Sequence, residues 1–202
     1  MTLIRHFLVV VMVLGALIPS SARADFSAQA VIRGFYAELS ETMKQGPQLG
    51  FGGRYIKLSP VVQASFNMPL MTRMAVGAGW SKASPKEQSD LIAAFSGFSI
   101  STYANRFASY DGEEFIVIGE KPSGKGIIVE TLLKPKTGEA VTLNYLMRPD
   151  EKGRYRIVDV FMDGTISELA TRRSEFSSIV RREGVAALIK ALEQKAKNLG
   201  AS

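Results

Sequence analysis

The chain contains no cysteine and a single histidine, His6. Without cysteine no disulfide can brace the fold, no thiolate can attack a substrate, and no thiol can carry a lipid anchor, so apolar packing alone must hold the chain together. His6 lies in a segment with the three parts of a secretory signal peptide. Arg5 gives a positive start, Phe7–Ile18 is an apolar run, Pro19 breaks it, and Ala22-Arg23-Ala24 forms a small-x-small cleavage site. The run holds 12 residues, short of the ~20 that a spanning helix needs. Cleavage before Asp25 is expected, with 1–24 as signal peptide and 25–202 as one domain. The mature chain then has no histidine, which excludes Ser-His-Asp and Cys-His nucleophile systems and the usual zinc ligands. Neither Ser-x-x-Lys nor Gly-x-Ser-x-Gly occurs. No catalytic residue, metal or cofactor is expected.

Removing the leader takes away Arg5 and Arg23 and leaves 23 basic against 19 acidic side chains, a net +4 over 178 residues. That length supports a substantial core. The mild basic excess suits transient contact with anionic membranes. No aromatic-basic cluster points to nucleic acid, and no later apolar run is long enough to span a bilayer.

Periodicity predicts helices, then strands, then helices, hence an α+β fold. Ala28, Ile32, Phe35, Leu39 and Met43 form one stripe of a helix over Asp25–Lys44. Gly46–Gly53 (GPQLGFGG) reads as a loop. Ser59-Pro60 reads as a fresh helix start, and Met68-Pro69 as another carrying Leu70, Met71 and Met74. Ser84-Pro85-Lys86-Glu87 carries a capping box and opens a helix expected to reach Tyr110. This helix has two apolar stripes, Leu91/Phe95/Phe98 and Ile92/Tyr103/Phe107, as expected of a helix sandwiched between other elements. Four strands follow, Glu114–Gly119, Gly126–Lys134, Ala140–Arg148 and Arg154–Met162, joined by short turns as an antiparallel meander. Val141, Leu143, Tyr145 and Met147 share one face of the third strand. The second is apolar on both faces, as an interior strand would be. Two helices, Thr165–Arg182 and Val185–Asn198, divide at Gly184. The sum is a curved four-stranded antiparallel sheet enclosed by helices.

Few residues suggest chemistry. Glu113-Glu114 reads as a solvated strand edge, and Asp159 as a hydrogen-bonded structural carboxylate or, alternatively, a general base. Gly119–Lys125 fits G-x-x-x-x-G-K, but Gly126 stands where a magnesium-binding Ser or Thr is needed, and the segment joins two strands. Trp80 reads as a packing anchor, with a ligand wall as the alternative. Six of the eight methionines lie beyond the leader, and methionine suits irregular, adaptable cavities.

Several segments together resemble the MlaC / toluene-tolerance family of periplasmic lipid carriers. They run from Gly79-Trp80 through Ser84–Gln88 to Phe95, then Thr102–Phe107 and Tyr110. Later come Ile157-Val158-Asp159-Val160, Gly164, Ser167 and Arg173-Ser174-Glu175-Phe176. Tyr155 replaces the usual tryptophan, and Gly164–Phe176 is one residue longer than the commonest form. That stretch is more similar to the hopanoid-associated branch, HpnM. The resemblance implies an NTF2-like cone with an apolar cavity for lipid. It also implies shuttling of hopanoid or phospholipid between an inner-membrane transporter, of the resistance-nodulation-division or Mla type, and an outer-membrane lipid complex.

The lining residues expected on size and pattern are Leu70, Met74, Phe95, Phe98, Tyr103, Phe107, Leu132, Leu143, Tyr145, Met147, Val160 and Phe176. Arg172, Arg173, Arg181 and Arg182 are candidates for docking a partner or headgroup, against the plainer reading of a solvated helix face. Two other readings stay open: an enzyme using Asp159 or Tyr103 on a small apolar substrate, and a structural subunit whose apolar faces bind protein.

Overall fold

A computed structural model describes residues 27–201. The expected signal peptide and its cleavage site lie outside the described residues. Ser27 caps the first helix by accepting from the Ala30 amide at 3.2 Å. Helix α1 (Ala28–Lys44) buries Ala28, Ile32, Phe35, Leu39 and Met43 as the stripe predicts, and Tyr36 beside them.

Helix α2 (Gly46–Ser65) corrects the reading of Gly46–Gly53 as a loop. The segment is helical, with a kink at Gly50 where φ is 61°. Glycine costs about 1 kcal/mol per helical position, and tertiary contacts override that cost here. The buried Arg54 guanidinium donates to the Gly46 carbonyl at 2.8 Å and the Ala104 carbonyl at 2.7 Å. Gly46 itself packs so closely that a Cβ would stand 2.0 Å from the Ala108 carbonyl oxygen. Ser59-Pro60 is no helix start either; α2 continues through an exposed Pro60.

After α2, the Asn67 amide donates to the Ile157 carbonyl at 2.8 Å and holds Phe66 against the sheet. Asn67 also caps α3 (Met68–Val76) through the Leu70 amide at 3.1 Å. A 3₁₀ turn over Gly77–Lys82 carries Trp80, which packs half-buried against the core. The predicted capping box at Ser84 is formed in both directions and opens α4 (Pro85–Arg106), which ends four residues short of Tyr110.

The sheet is an antiparallel meander in the order β1-β2-β3-β4-β5. Its strands are β1 (Glu114–Ser123), β2 (Gly126–Lys134), β3 (Val141–Pro149), β4 (Tyr155–Met162) and β5 (Ile166–Ser167). The four expected strands are present, and the two-residue β5 adds a fifth. The phosphate-loop lookalike is the β1–β2 hairpin. Helices α5 (Glu168–Glu183) and α6 (Val185–Ala201) close the chain and meet at Gly184, whose φ of 86° favours glycine. Helices α2 and α6 both pack on α4, which leaves the remaining side of α4 for the sheet. Among the described residues, no helix is long and apolar enough to cross a membrane.

Asp159 ties β4 to α5. Its buried carboxylate accepts from the Ser167 hydroxyl at 2.6 Å, the Leu169 amide at 3.0 Å and the Val160 amide at 2.8 Å. Through Ser167 and Leu169 it holds the start of α5, and it is not among the residues lining the cavity described below.

Candidate functional site

Six positions of α4 recur at helical spacing and face the sheet, Phe95, Phe98, Ser99, Thr102, Tyr103 and Arg106, and the C-capping Phe107 continues the row. Opposite them stands one face of three adjacent strands. Register pairs Leu133 with Val141, Leu143 with Met162, and Tyr145 with Val160. All six therefore point the same way. Between helix and sheet lies a cavity of about 360 Å³, completed by Phe66, Met71, Leu169, Glu168 and Arg172.

Aromatic rings build its inner end. Tyr103 meets Phe35 edge-on at 5.3 Å and stacks on Phe107 at 5.8 Å, while Phe66 sits 5.7 Å from Tyr103. Behind this wall the hydroxyls satisfy one another. Thr131 donates to the Leu143 carbonyl, so Tyr36 is the donor in its 2.6 Å bond to Thr131. Tyr145 donates in turn to Tyr36. Burial pushes the Tyr36 hydroxyl up to about 12, with its bonds to Thr131 and Tyr145 opposing the shift. Burial likewise holds Tyr103 and Tyr145 well above the ordinary phenol value. At neutral pH the inner end is uncharged.

The charged residues that line the cavity are Arg106, Glu168 and Arg172, and each reaches solvent. Arg172 lies over the Phe98 ring at 5.1 Å and pairs with Glu168 and Glu175, each at 3.4 Å. Lys195 takes the second Glu175 oxygen. Burial alone would raise the Glu175 carboxyl, but Lys195 and Arg172 outweigh it and hold it below its ordinary value.

Of the twelve expected lining residues, Phe95, Phe98, Tyr103, Phe107, Leu143, Tyr145 and Val160 border the cavity. Five do not. Leu132 pairs with Thr142 on the opposite sheet face, and Leu133 takes its place. Leu70 and Met74 lie off the buried stripe of α3, which runs through Met68, Met71 and Ala75. Met147 is fully buried between Ile127 and Ile157 on the neighbouring strands. Phe176 stands behind the lining, edge-on to Phe95 at 5.3 Å. Pattern reading also missed Phe66, Met71, Leu133, Val141, Met162 and Leu169, and the polar Ser99, Thr102, Arg106 and Glu168. The α4 members were accessible by extending the Phe95 stripe without regard to polarity.

Of the four arginines, only Arg172 reaches the cavity. Arg173 lies over Gly77 of the 3₁₀ turn. Arg181 and Arg182 are exposed in the last turn of α5, where cations suit the helix dipole. Arg182 pairs with Glu183 at 3.3 Å, and such an exposed pair contributes little.

Fold and cavity define an α+β protein in which helices close one face of an open antiparallel sheet over an apolar chamber. The chain belongs to the MlaC family: the MlaC protein model matches residues 34–194. Among solved structures it is similar to a phospholipid-binding protein from Ralstonia solanacearum, determined in complex with a phospholipid. That match has a TM-score of 0.72 and 23% sequence identity, and covers 86% of this chain and 98% of the other. No curated protein matches the chain by sequence.

Proposed function

We propose that this protein is a lipid carrier of the periplasm that holds the hydrocarbon of a membrane lipid, phospholipid or hopanoid, between α4 and the sheet. The observation that carries the reading is the cavity of about 360 Å³ with its apolar wall, within the ~300–1,000 Å³ of small-molecule sites. Each methylene moved from water into such a chamber contributes about 0.8 kcal/mol without directional contacts. Membership of the MlaC family and the phospholipid held by the Ralstonia solanacearum protein support the same ligand class. The leader supports export. In this reading the carrier moves lipid between an inner-membrane transporter and an outer-membrane complex.

The carrier has no bond to break. Asp159, the candidate general base, spends its carboxylate on Ser167, Val160 and Leu169, and Tyr103 is held protonated by burial. Both arrangements favour binding over catalysis.

The test is uptake from vesicles. Delipidated mature protein is incubated with phosphatidylglycerol vesicles, the vesicles are sedimented, and lipid in the supernatant is extracted and counted. The expected result is about one lipid per chain; a supernatant without protein-bound lipid, and none with hopanoid-containing vesicles, would sink the carrier reading.

A further inference from the structure

One wall of the chamber is thin. Elsewhere the lining rests on packed core: Tyr103 meets Phe35 and Phe95 meets Phe176, each edge-on at 5.3 Å, and Tyr145 is backed by Tyr36 at 5.7 Å. Phe66 differs. Behind it lies a second cavity, of about 420 Å³, between α2, α3 and a different face of α4. Tyr55, Met68, Ile92, Ser96 and Ile100 border this second space. Of the residues that line the chamber, Phe66 alone also lines the second cavity. Protein interiors hold few voids larger than a water molecule, so two cavities that meet at one side chain form a specific arrangement.

Backbone bonds put Phe66 in this place. It ends α2 in an extended conformation, with φ −101° and ψ 143°. Its amide donates to the Val62 carbonyl at 2.9 Å, and the Asn67 amide that follows donates to the Ile157 carbonyl at 2.8 Å. Neither bond uses the Phe66 side chain. The ring itself stands edge-on to Phe35 at 5.4 Å and 5.7 Å from Tyr103. A different side chain at this position keeps the same backbone anchors and changes the partition.

We infer that Phe66 is the partition that sets how much hydrocarbon the carrier accepts, and that the cavity behind it is the space a longer ligand takes once the ring is removed. The inference rests on the carrier reading and deepens it to ligand size. At about 360 Å³ the chamber stands near the lower end of the ~300–1,000 Å³ of small-molecule sites, so its depth limits the ligand. A chain that overruns the ring leaves methylenes in water, and each forgoes about fourfold in affinity.

The experiment is a competition by chain length. Delipidated mature protein is offered vesicles with equal amounts of a short-chain and a long-chain phosphatidylglycerol, both monounsaturated and fluid, that differ by about two carbons per chain. The ratio of the two on the recovered protein is compared with that in the vesicles. Wild type is expected to enrich the short lipid about tenfold, the cost of one chain stopped at the ring. Phe66→Ala removes the enrichment, and Phe66→Leu, which keeps an apolar side chain in the core, lowers it about threefold. Ser96→Phe alone fills the second cavity and leaves the wild-type ratio unchanged; added to either Phe66 variant it brings the enrichment back. Circular dichroism shows which variants fold, and if Phe66→Ala does not, Phe66→Leu with and without Ser96→Phe decides. A ratio unmoved in a folded Phe66 variant overturns the partition. So does a shift that Ser96→Phe fails to reverse, which assigns the change to a loosened core. Loss of lipid from Ser96→Phe alone places hydrocarbon beyond the ring in the wild type and overturns it as well. Wild type that binds both lengths without preference overturns the partition and leaves the carrier reading standing. Wild type that takes up neither overturns both.

Discussion

Leu143→Trp is expected to lose roughly 70-fold in lipid affinity while keeping its fold. Leu143 is buried on the inner face of β3, borders the chamber, and pairs with Met162 on β4. An indole there occupies space that the ligand's hydrocarbon would fill. Excluding roughly 100 Å² of apolar contact at about 25 cal/mol per Å² costs about 2.5 kcal/mol, which is the predicted affinity loss. Leu132→Trp is the control. Leu132 is one residue from Leu133 yet faces away from the chamber, beside Thr142. It should bind lipid as the wild type does. Vesicle uptake measures both, and circular dichroism checks the fold. Full uptake by Leu143→Trp would place the ligand somewhere other than this chamber.

Asp159→Ala is expected to be the costliest single truncation for stability. Three donors, the Ser167 hydroxyl and the Leu169 and Val160 amides, converge on this buried carboxylate. Hydrogen bonds to a charged acceptor contribute about 1.5–3 kcal/mol each, and donors left buried without a partner add their desolvation cost. A loss of about 4 kcal/mol is expected, or roughly 10 °C in Tm for a chain of this size. The readout is thermal unfolding. A fall of less than about 1 kcal/mol would contradict this role. Because Asp159 holds the start of α5, and α5 carries Glu168, Leu169 and Arg172 into the cavity wall, the variant should also bind lipid less well at temperatures where it remains folded.

The elements of the fold were legible where local chemistry was strong. The capping box at Ser84, the stripe of α1 and the turn-separated strands all follow from short-range rules. The errors have physical causes. Gly46–Gly53 looks like a loop because glycine disfavours helix, yet Arg54 and the approach of Ala108 to Gly46 are long-range contacts that no local pattern contains. On β2, Ile127–Leu133 is apolar at nearly every position, so alternation cannot say whether Leu132 or Leu133 faces inward. Pairing with Val141 decides it. Choosing lining residues by size overlooked Ser99, Thr102 and Arg106, which share the α4 face with Phe95 and Tyr103. The class of cavity was foreseeable from the excess of inward apolar residues, whereas its charged rim required the packing of α5 against α4 and the sheet.

Native mass spectrometry of the protein purified from its own periplasm, without detergent, tests the central claim most directly. The account predicts a population heavier than the mature chain by the mass of one membrane lipid, reduced to the bare mass by organic extraction. A protein found only at its bare mass, and unable to acquire lipid from vesicles, would contradict it.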